Sequence, residues 1–202
     1  MAAKSTLTNM VLCLTAVCLV CAALLGGVYV LTEASIEEAA QKALKASISE
    51  VLPDGGELSQ AKKAELEGVS YEYYESLQEG TVAAYAVKST TVGFGGPLTL
   101  MVGVLPDGTV YNTSVLAHSE TPGLGAKCNQ DEQFMKQWRG FGPEKKLLVR
   151  KDGGDVDAIT ASTITSRAYT KAVQQAVNVV RSLSGQAVDA VSGATQAKKK
   201  EE

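Results

Sequence analysis

The residues of this 202-residue chain that could do chemistry gather at one junction, Asp157-Ala158-Ile159-Thr160-Ala161-Ser162-Thr163-Ile164-Thr165-Ser166, which runs straight into a stretch of helical periodicity. Hydroxyl side chains at a helix start can cap it, and the free N–H groups of a first helical turn make a seat for a phosphate. Capping needs only Thr165 or Ser166 and leaves Asp157, Thr160, Ser162 and Thr163 without a purpose. Two glycine-rich loops accompany the junction: Gly93-Phe94-Gly95-Gly96-Pro97 and Glu120-Thr121-Pro122-Gly123-Leu124-Gly125. Glycine lets backbone come close to a flat ligand and proline fixes a loop in place, so each loop reads either as part of a cradle or as a plain turn.

Other chemistries lack their residues. The chain has one histidine, His118, and no G-x-S-x-G or P-loop sequence; its only Cys-x-x-Cys spacing, Cys18 and Cys21, falls in an apolar run. A triad on His118 has no nominated serine, so no catalytic residue and no metal ligand is assigned. His118 stands at a strand end, as a turn cap or as a donor to a ligand edge, and Trp138 reads as a core residue rather than an electron relay. The formal net charge of -3, without a basic stripe, argues against a nucleic-acid partner.

The elements that must position these residues begin with a membrane span. Residues 7–31 carry no charge and are rich in Leu, Val, Ala and Cys. At about 1.5 Å per residue this run crosses a hydrocarbon core of about 30 Å. It reads as an anchor and not a cleaved signal, because Ala22 and Ala23 are followed by Leu24, Leu25, Val28, Val30 and Leu31. Lys4 on one flank and Glu33, Glu37 and Glu38 on the other put residues 1–6 in the cytoplasm and the bulk of the chain outside it. Cys13, Cys18 and Cys21 are small apolar side chains on the span, which leaves Cys128 with no disulfide partner.

Residues 32–52 place Ile36, Ala39, Ala40, Ala43, Leu44, Ile48 and Val51 at helical spacing, an amphipathic helix ended by Pro53-Asp54-Gly55-Gly56. Strands are expected over 69–74 and 80–88, and a hairpin joins 98–105 to 110–117 through Pro106-Asp107-Gly108. A short helix over 132–139, a strand over 146–150 and a last helix over 166–183 complete an α+β domain spanning 53–184. Residues 185–202 end in Lys198-Lys199-Lys200-Glu201-Glu202 and read as a disordered tail.

The span, the run His118-Ser119-Glu120-Thr121-Pro122-Gly123-Leu124-Gly125 and the junction closing in Thr165-Ser166 together resemble the G subunit of the Rnf ion-translocating electron-transport complex. That family is similar to the C subunit of the sodium-pumping quinone reductase. The resemblance implies an extracytoplasmic FMN-binding domain, an antiparallel sheet with flanking helices. In it a flavin transferase joins FMN covalently, through its phosphate, to a threonine in the pattern Asp-x-x-(Ser/Thr)-Gly-Ala-Thr. The pattern maps onto Asp157, Thr160 and Thr163, with Ala161 in place of glycine and Ser162 in place of alanine. Asp189-Ala190-Val191-Ser192-Gly193-Ala194-Thr195 fits it without departure, which makes Thr195 the alternative site. Thr163 is preferred because a helix follows it, whereas only Gln196-Ala197 and a charged run follow Thr195.

The resemblance further implies that Thr160, Ser162 and Thr165 at the junction, and Gly95, Glu120, Thr121, Gly123 and Leu124 in the loops, contact the cofactor, with Leu124 packing on its ring. Pro97-Leu98 stand where the quinone-reductase branch has an aromatic. The implied role is an electron-transfer subunit, without complete activity alone, in a membrane ferredoxin:NAD oxidoreductase that moves Na⁺ or H⁺. Ion transport belongs to partner subunits, since one uncharged helix offers no ion path. Two other readings of the same residues are a non-redox membrane tether or assembly subunit and a sensor that binds flavin reversibly.

Overall fold

The structure, a computed structural model, describes residues 7–185. Residues 1–6, Thr195 and all of the expected tail beyond Gly185 lie outside the described residues. Packing divides the chain into two units, with the boundary between Ala43 and Leu44.

The first unit is helical. Helix α1 (Leu7–Val51) runs 45 residues without a break, so the expected span and amphipathic stretch are one helix. No proline interrupts it, and the Thr32 hydroxyl donates back to the Val28 carbonyl at 2.9 Å, leaving the helical ladder intact. Its most apolar stretch has a mean hydropathy of 2.6, with none of that stretch buried inside the chain. It is the one helix among the described residues long and apolar enough to cross a membrane.

The second unit is built on an antiparallel sheet of β1 (Glu57–Leu58), β2 (Lys62–Leu66), β3 (Val69–Gln78), β4 (Thr81–Val92), β5 (Pro97–Val104) and β6 (Val110–His118). The strand order is β1-β3-β4-β5-β6, with β2 also paired to β3. Strands β3 and β4 extend the expected 69–74 and 80–88, and the expected hairpin is β5–β6, with Leu98 opposite His118 and Val104 opposite Val110. In its turn the Asp107 carboxylate accepts the Thr109 N–H at 2.8 Å, the local bond that aspartate brings to turns. Strands β1 and β2 were absent from the sequence expectations; their polar residues show no apolar alternation, and most of them are exposed.

Strand β5 is dense in apolar residues because both of its faces are covered. Leu98, Leu100, Val102 and Val104 pack with Ala168, Tyr169, Ala172, Val173, Ala176, Val177 and Val180 of helix α3 (Thr163–Leu183). Alanines at this spacing let α3 lie close to the sheet. Met101 faces the other way, into a second cluster with Ile48 and Val51 from the end of α1, Leu52 just after it, and Tyr74, Ala84 and Ala86 from the sheet. Each fully buried Val or Leu contributes about 1.5–3 kcal/mol, so these two layers fix the sheet from both sides. The end of α1 is fastened further: Asn112 donates to the Glu50 carbonyl at 3.0 Å and Ser114 to the Glu50 carboxylate at 2.7 Å.

Helix α2 (Glu132–Lys136) is shorter than the expected 132–139, and Asp131 caps it by accepting the Gln133 and Phe134 N–H groups. Trp138 is fully buried, stacked on Tyr169 with centroids 5.1 Å apart, which places it in the core. The expected strand over 146–150 is a correction. The segment forms only a single bridge, Val149 to Val156, and passes into a 3₁₀ turn at Arg150–Asp152. It folds onto its own continuation, with Arg150 N–H donating to Val156 and Val156 N–H to Leu148, so Val149 reaches the core without joining the sheet. Helix α3 begins at Thr163, three residues earlier than expected.

The end of α1 comes close to the sheet at Gly103, where a Cβ would run into the Val51 carbonyl oxygen. Gly103→Ala is therefore expected to destabilise the chain by about 1–3 kcal/mol through overpacking against backbone. Thermal unfolding of the purified protein checks this, and an unchanged midpoint would show that the helix end does not bear on β5.

Candidate functional site

The site is assembled around the carboxylate of Glu120, which is 5% exposed. One oxygen, Oε1, accepts the backbone N–H of Phe94 at 2.8 Å. The other, Oε2, accepts the hydroxyl of Thr165 at 2.8 Å, a fully interior bond. Among the described residues no cation lies within ion-pairing reach of it. A buried carboxylate without a counter-ion is costly unless hydrogen-bonded. Here two neutral donors and the positive end of α3, reached through Thr165 in its first turn, take the place of a cation. The three segments thus joined are the 93–97 loop, the 120–125 loop and the start of α3.

Close backbone contact at this point explains two glycines. A Cβ on Gly95 would collide with the Ser119 carbonyl oxygen, and one on Gly125 with Glu120 Oε2 and Thr165 Oγ1. His118 serves the turn: its Nδ1 accepts the Glu120 N–H at 3.3 Å. Behind the site, burial first and the Glu120 charge second push the Cys128 thiol up to about 11.

The junction is wound tightly before α3. Ser162 N–H donates to Ile159, the Ser166 hydroxyl donates to the Ser162 carbonyl and accepts the Ile159 N–H, and Ser166 N–H closes on Ser162. Ser162 occupies the position before the helix, yet its side chain makes no capping bond. Neither Thr165 nor Ser166 caps either, since both hydroxyls are committed elsewhere. The first-turn N–H groups of Thr163, Ile164 and Thr165 therefore have no side-chain cap from that residue. Upstream, the Gln137 amide clasps Asp157, accepting its N–H at 2.8 Å and donating to its carbonyl at 3.1 Å, while the Asp157 carboxylate pairs with Arg150 at 2.7 Å.

Ala161 has φ +61°, in the left-handed region that favours glycine, at the position where the Asp-x-x-(Ser/Thr)-Gly-Ala-Thr pattern has glycine. The backbone keeps the turn and the alanine bears its strain.

Of the residues singled out from sequence, Thr163 is half-buried at the first position of α3, Ser162 and Thr165 are buried, and Thr160 is exposed. Thr121 is exposed, and its carbonyl accepts both the Leu124 and Ala126 N–H groups at 3.2 Å. Gly123 and Leu124 are exposed, Leu124 at 46%. The structure brings Gly95, Glu120 and Thr165 together, with Glu120 turned inward as a brace. The sequence reading passed over two exposed apolar side chains beside them, Phe94 at 69% and Ile164 at 48%. The signal for Phe94 was an aromatic residue set between glycines in a loop.

The fold defines a class: a protein with an N-terminal apolar helix and one domain built on an antiparallel sheet and a long closing helix. The family described as "FMN-binding domain" matches residues 93–178, and the family described as "RnfG N-terminal region" matches residues 1–51. The G subunit of a proton-translocating ferredoxin:NAD(+) oxidoreductase complex from Clostridium ljungdahlii is 38% identical, over 56% of this chain and 62% of that protein. The G subunit of an ion-translocating oxidoreductase complex from Shewanella baltica is 42% identical, over 52% of each chain. The chain thus spans little more than half the length of these two relatives. The corresponding G subunit of Methanosarcina acetivorans is 30% identical over 92% of this chain and 100% of its own. The chain belongs to the family formed by the G subunits of the ion-translocating oxidoreductase complexes.

Three substitutions test this geometry. Glu120→Ala strands the Phe94 N–H and the Thr165 hydroxyl and is expected to cost about 1–3 kcal/mol, with Glu120→Gln milder because it keeps one acceptor and the shape. Ala161→Gly relieves a left-handed alanine and is expected to raise stability by about 1 kcal/mol. Chemical denaturation of the three variants beside the parent gives both signs.

Proposed function

We propose that this chain carries FMN joined covalently through its phosphate to Thr163 and passes electrons within a membrane-bound ferredoxin:NAD oxidoreductase complex coupled to Na⁺ or H⁺ translocation. The observation that carries the reading is the start of α3. Thr163 stands half-buried as the first residue of a 21-residue helix whose preceding residue supplies no capping side chain, inside the stretch matched by the FMN-binding domain family. An uncapped first turn directs N–H groups and the positive end of the helix at an anion, which is the requirement of a phosphate ester there. Ser162 is buried and the hydroxyls of Thr165 and Ser166 are locked inside the fold, so within the first turn of α3 Thr163 carries the hydroxyl that stays accessible.

When bound, FMN supplies a carrier able to take electrons singly or in pairs. The protein's part is to hold and orient it. Thr160 and Ser162 would flank the ester, the Thr163 N–H and its neighbours would receive the phosphate, and Gly95, Thr121, Gly123 and Leu124 would offer close backbone and apolar contact. Glu120 holds the two loops and the helix start in register. The modifying partner is a flavin transferase, and the electron-carrying partners are other subunits of the complex. The apolar part of α1 anchors the chain in the cell membrane, with its N-terminus cytoplasmic and the domain on the other side, as Lys4 and the Glu33, Glu37 and Glu38 flank favour.

Co-expression with a flavin transferase tests the assignment. The parent is expected to show a fluorescent band on a denaturing gel, Thr163→Ala to lose it completely, and Thr195→Ala to keep it. Peptide masses locate the ester; FMN on the peptide containing Thr195, with Thr163 unmodified, sinks the site.

A further inference from the structure

Three exposed apolar side chains lie one step from the Glu120 carboxylate, each on a different segment. Phe94 is 69% exposed, and its own N–H is bound to Glu120 Oε1. Leu124, 46% exposed, precedes Gly125, which packs against Oε2. Ile164, 48% exposed, sits between Thr163 and Thr165, whose hydroxyl is bound to Oε2. One buried carboxylate thus ties together the three segments that carry these solvent-facing apolar groups, and one of the three, Ile164, is the chain neighbour of Thr163. Single exposed apolar residues are ordinary; three carried on segments fastened to one buried group form a candidate ligand contact.

Phe94 is held more firmly than an exposed loop aromatic need be. The turn that carries it is closed by the Gly93 N–H donating to the Gly96 carbonyl at 2.8 Å. Gly95 is pressed against Ser119 with no room for a Cβ. The Glu120 bond fixes the Phe94 backbone itself. A flat aromatic on a fixed mount, near the point where a planar ring would be tethered, suits offset stacking. We propose that Phe94 lies on the face of the isoalloxazine ring of this chain's own FMN, with Leu124 and Ile164 bordering the same ring. The inference rests on the reading that FMN is attached at Thr163, and it assigns a residue that the motif-based set does not include.

The test uses the full-length protein co-expressed with a flavin transferase, as the parent, Phe94→Trp and Phe94→Ala. Covalent flavin is measured first, by denaturing-gel fluorescence and mass, and thermal midpoints are compared. Flavin emission in the folded state and its quenching by iodide are then read. All three proteins are expected to carry the same flavin and to melt alike, since Phe94 is largely exposed. Phe94→Trp is expected to dim the emission several-fold, because a stacked indole donates an electron to the excited flavin. Phe94→Ala is expected to raise iodide access several-fold. Loaded variants with parental emission and iodide access overturn the inference, and reduced co-purification with other subunits would then give the residue to a protein partner. Loss of flavin loading in both variants, with a loaded parent, also overturns it and gives Phe94 to the transferase. A parent without covalent flavin instead sinks the underlying reading, and the gel shows this before any emission is compared.

Discussion

The placement of the two glycine loops and the start of α3 depends on one buried carboxylate that has no counter-ion among the described residues. Glu120 would be a liability in a core, because an unpaired carboxylate taken out of water loses far more solvation than a hydrogen bond returns. It is tolerated because a backbone N–H from one loop, a hydroxyl from the first turn of α3 and the positive end of that helix converge on it. The same three requirements fix where the loops and the helix start stand relative to one another. Removing the side chain would leave three elements with no shared reference point.

That local constraint works only on a sheet that does not shift. The sheet is gripped on one face by α3 and its aromatic neighbours, among them the Trp138–Tyr169 stack, and on the other by the last turns of α1. Tyr169 also ties α3 to the sheet through its hydroxyl, which donates to Thr113 at 2.8 Å in the interior. Strand β6 carries Thr113 on one face and the Glu50 contacts of Asn112 and Ser114 on the other, so both layers meet at the strand that leads into His118 and Glu120.

Much of this was legible in the sequence where periodicity or turn chemistry was strong. The β5–β6 hairpin declared itself through a dense apolar run and Pro106-Asp107-Gly108, and α3 through its repeating alanines and valines. Strands β1 and β2 gave no signal because they are polar on exposed backbone. The 146–150 segment misled because Leu147, Leu148 and Val149 have strand-like composition, while their backbone bonds close on 155 and 156 instead of a sheet neighbour. At the site, residue types pointed to Thr163 and to the two loops. The inward turn of Glu120 could not be read, because its partners, Phe94 and Thr165, lie 26 and 45 residues away in sequence.

That last separation sets an order of assembly. Strands β3 to β6 are chained by short turns and can pair as soon as they are made, since neighbouring strands pay little loop-closure entropy. The Glu120–Thr165 bond waits for the C-terminal segment, and so does the uncapped turn that presents Thr163. A chain that has not yet formed α3 therefore lacks the Glu120–Thr165 bond that sets the two loops against the helix start. Completion of the C-terminal segment is thus a checkpoint: the two loops and the helix start take their places only together.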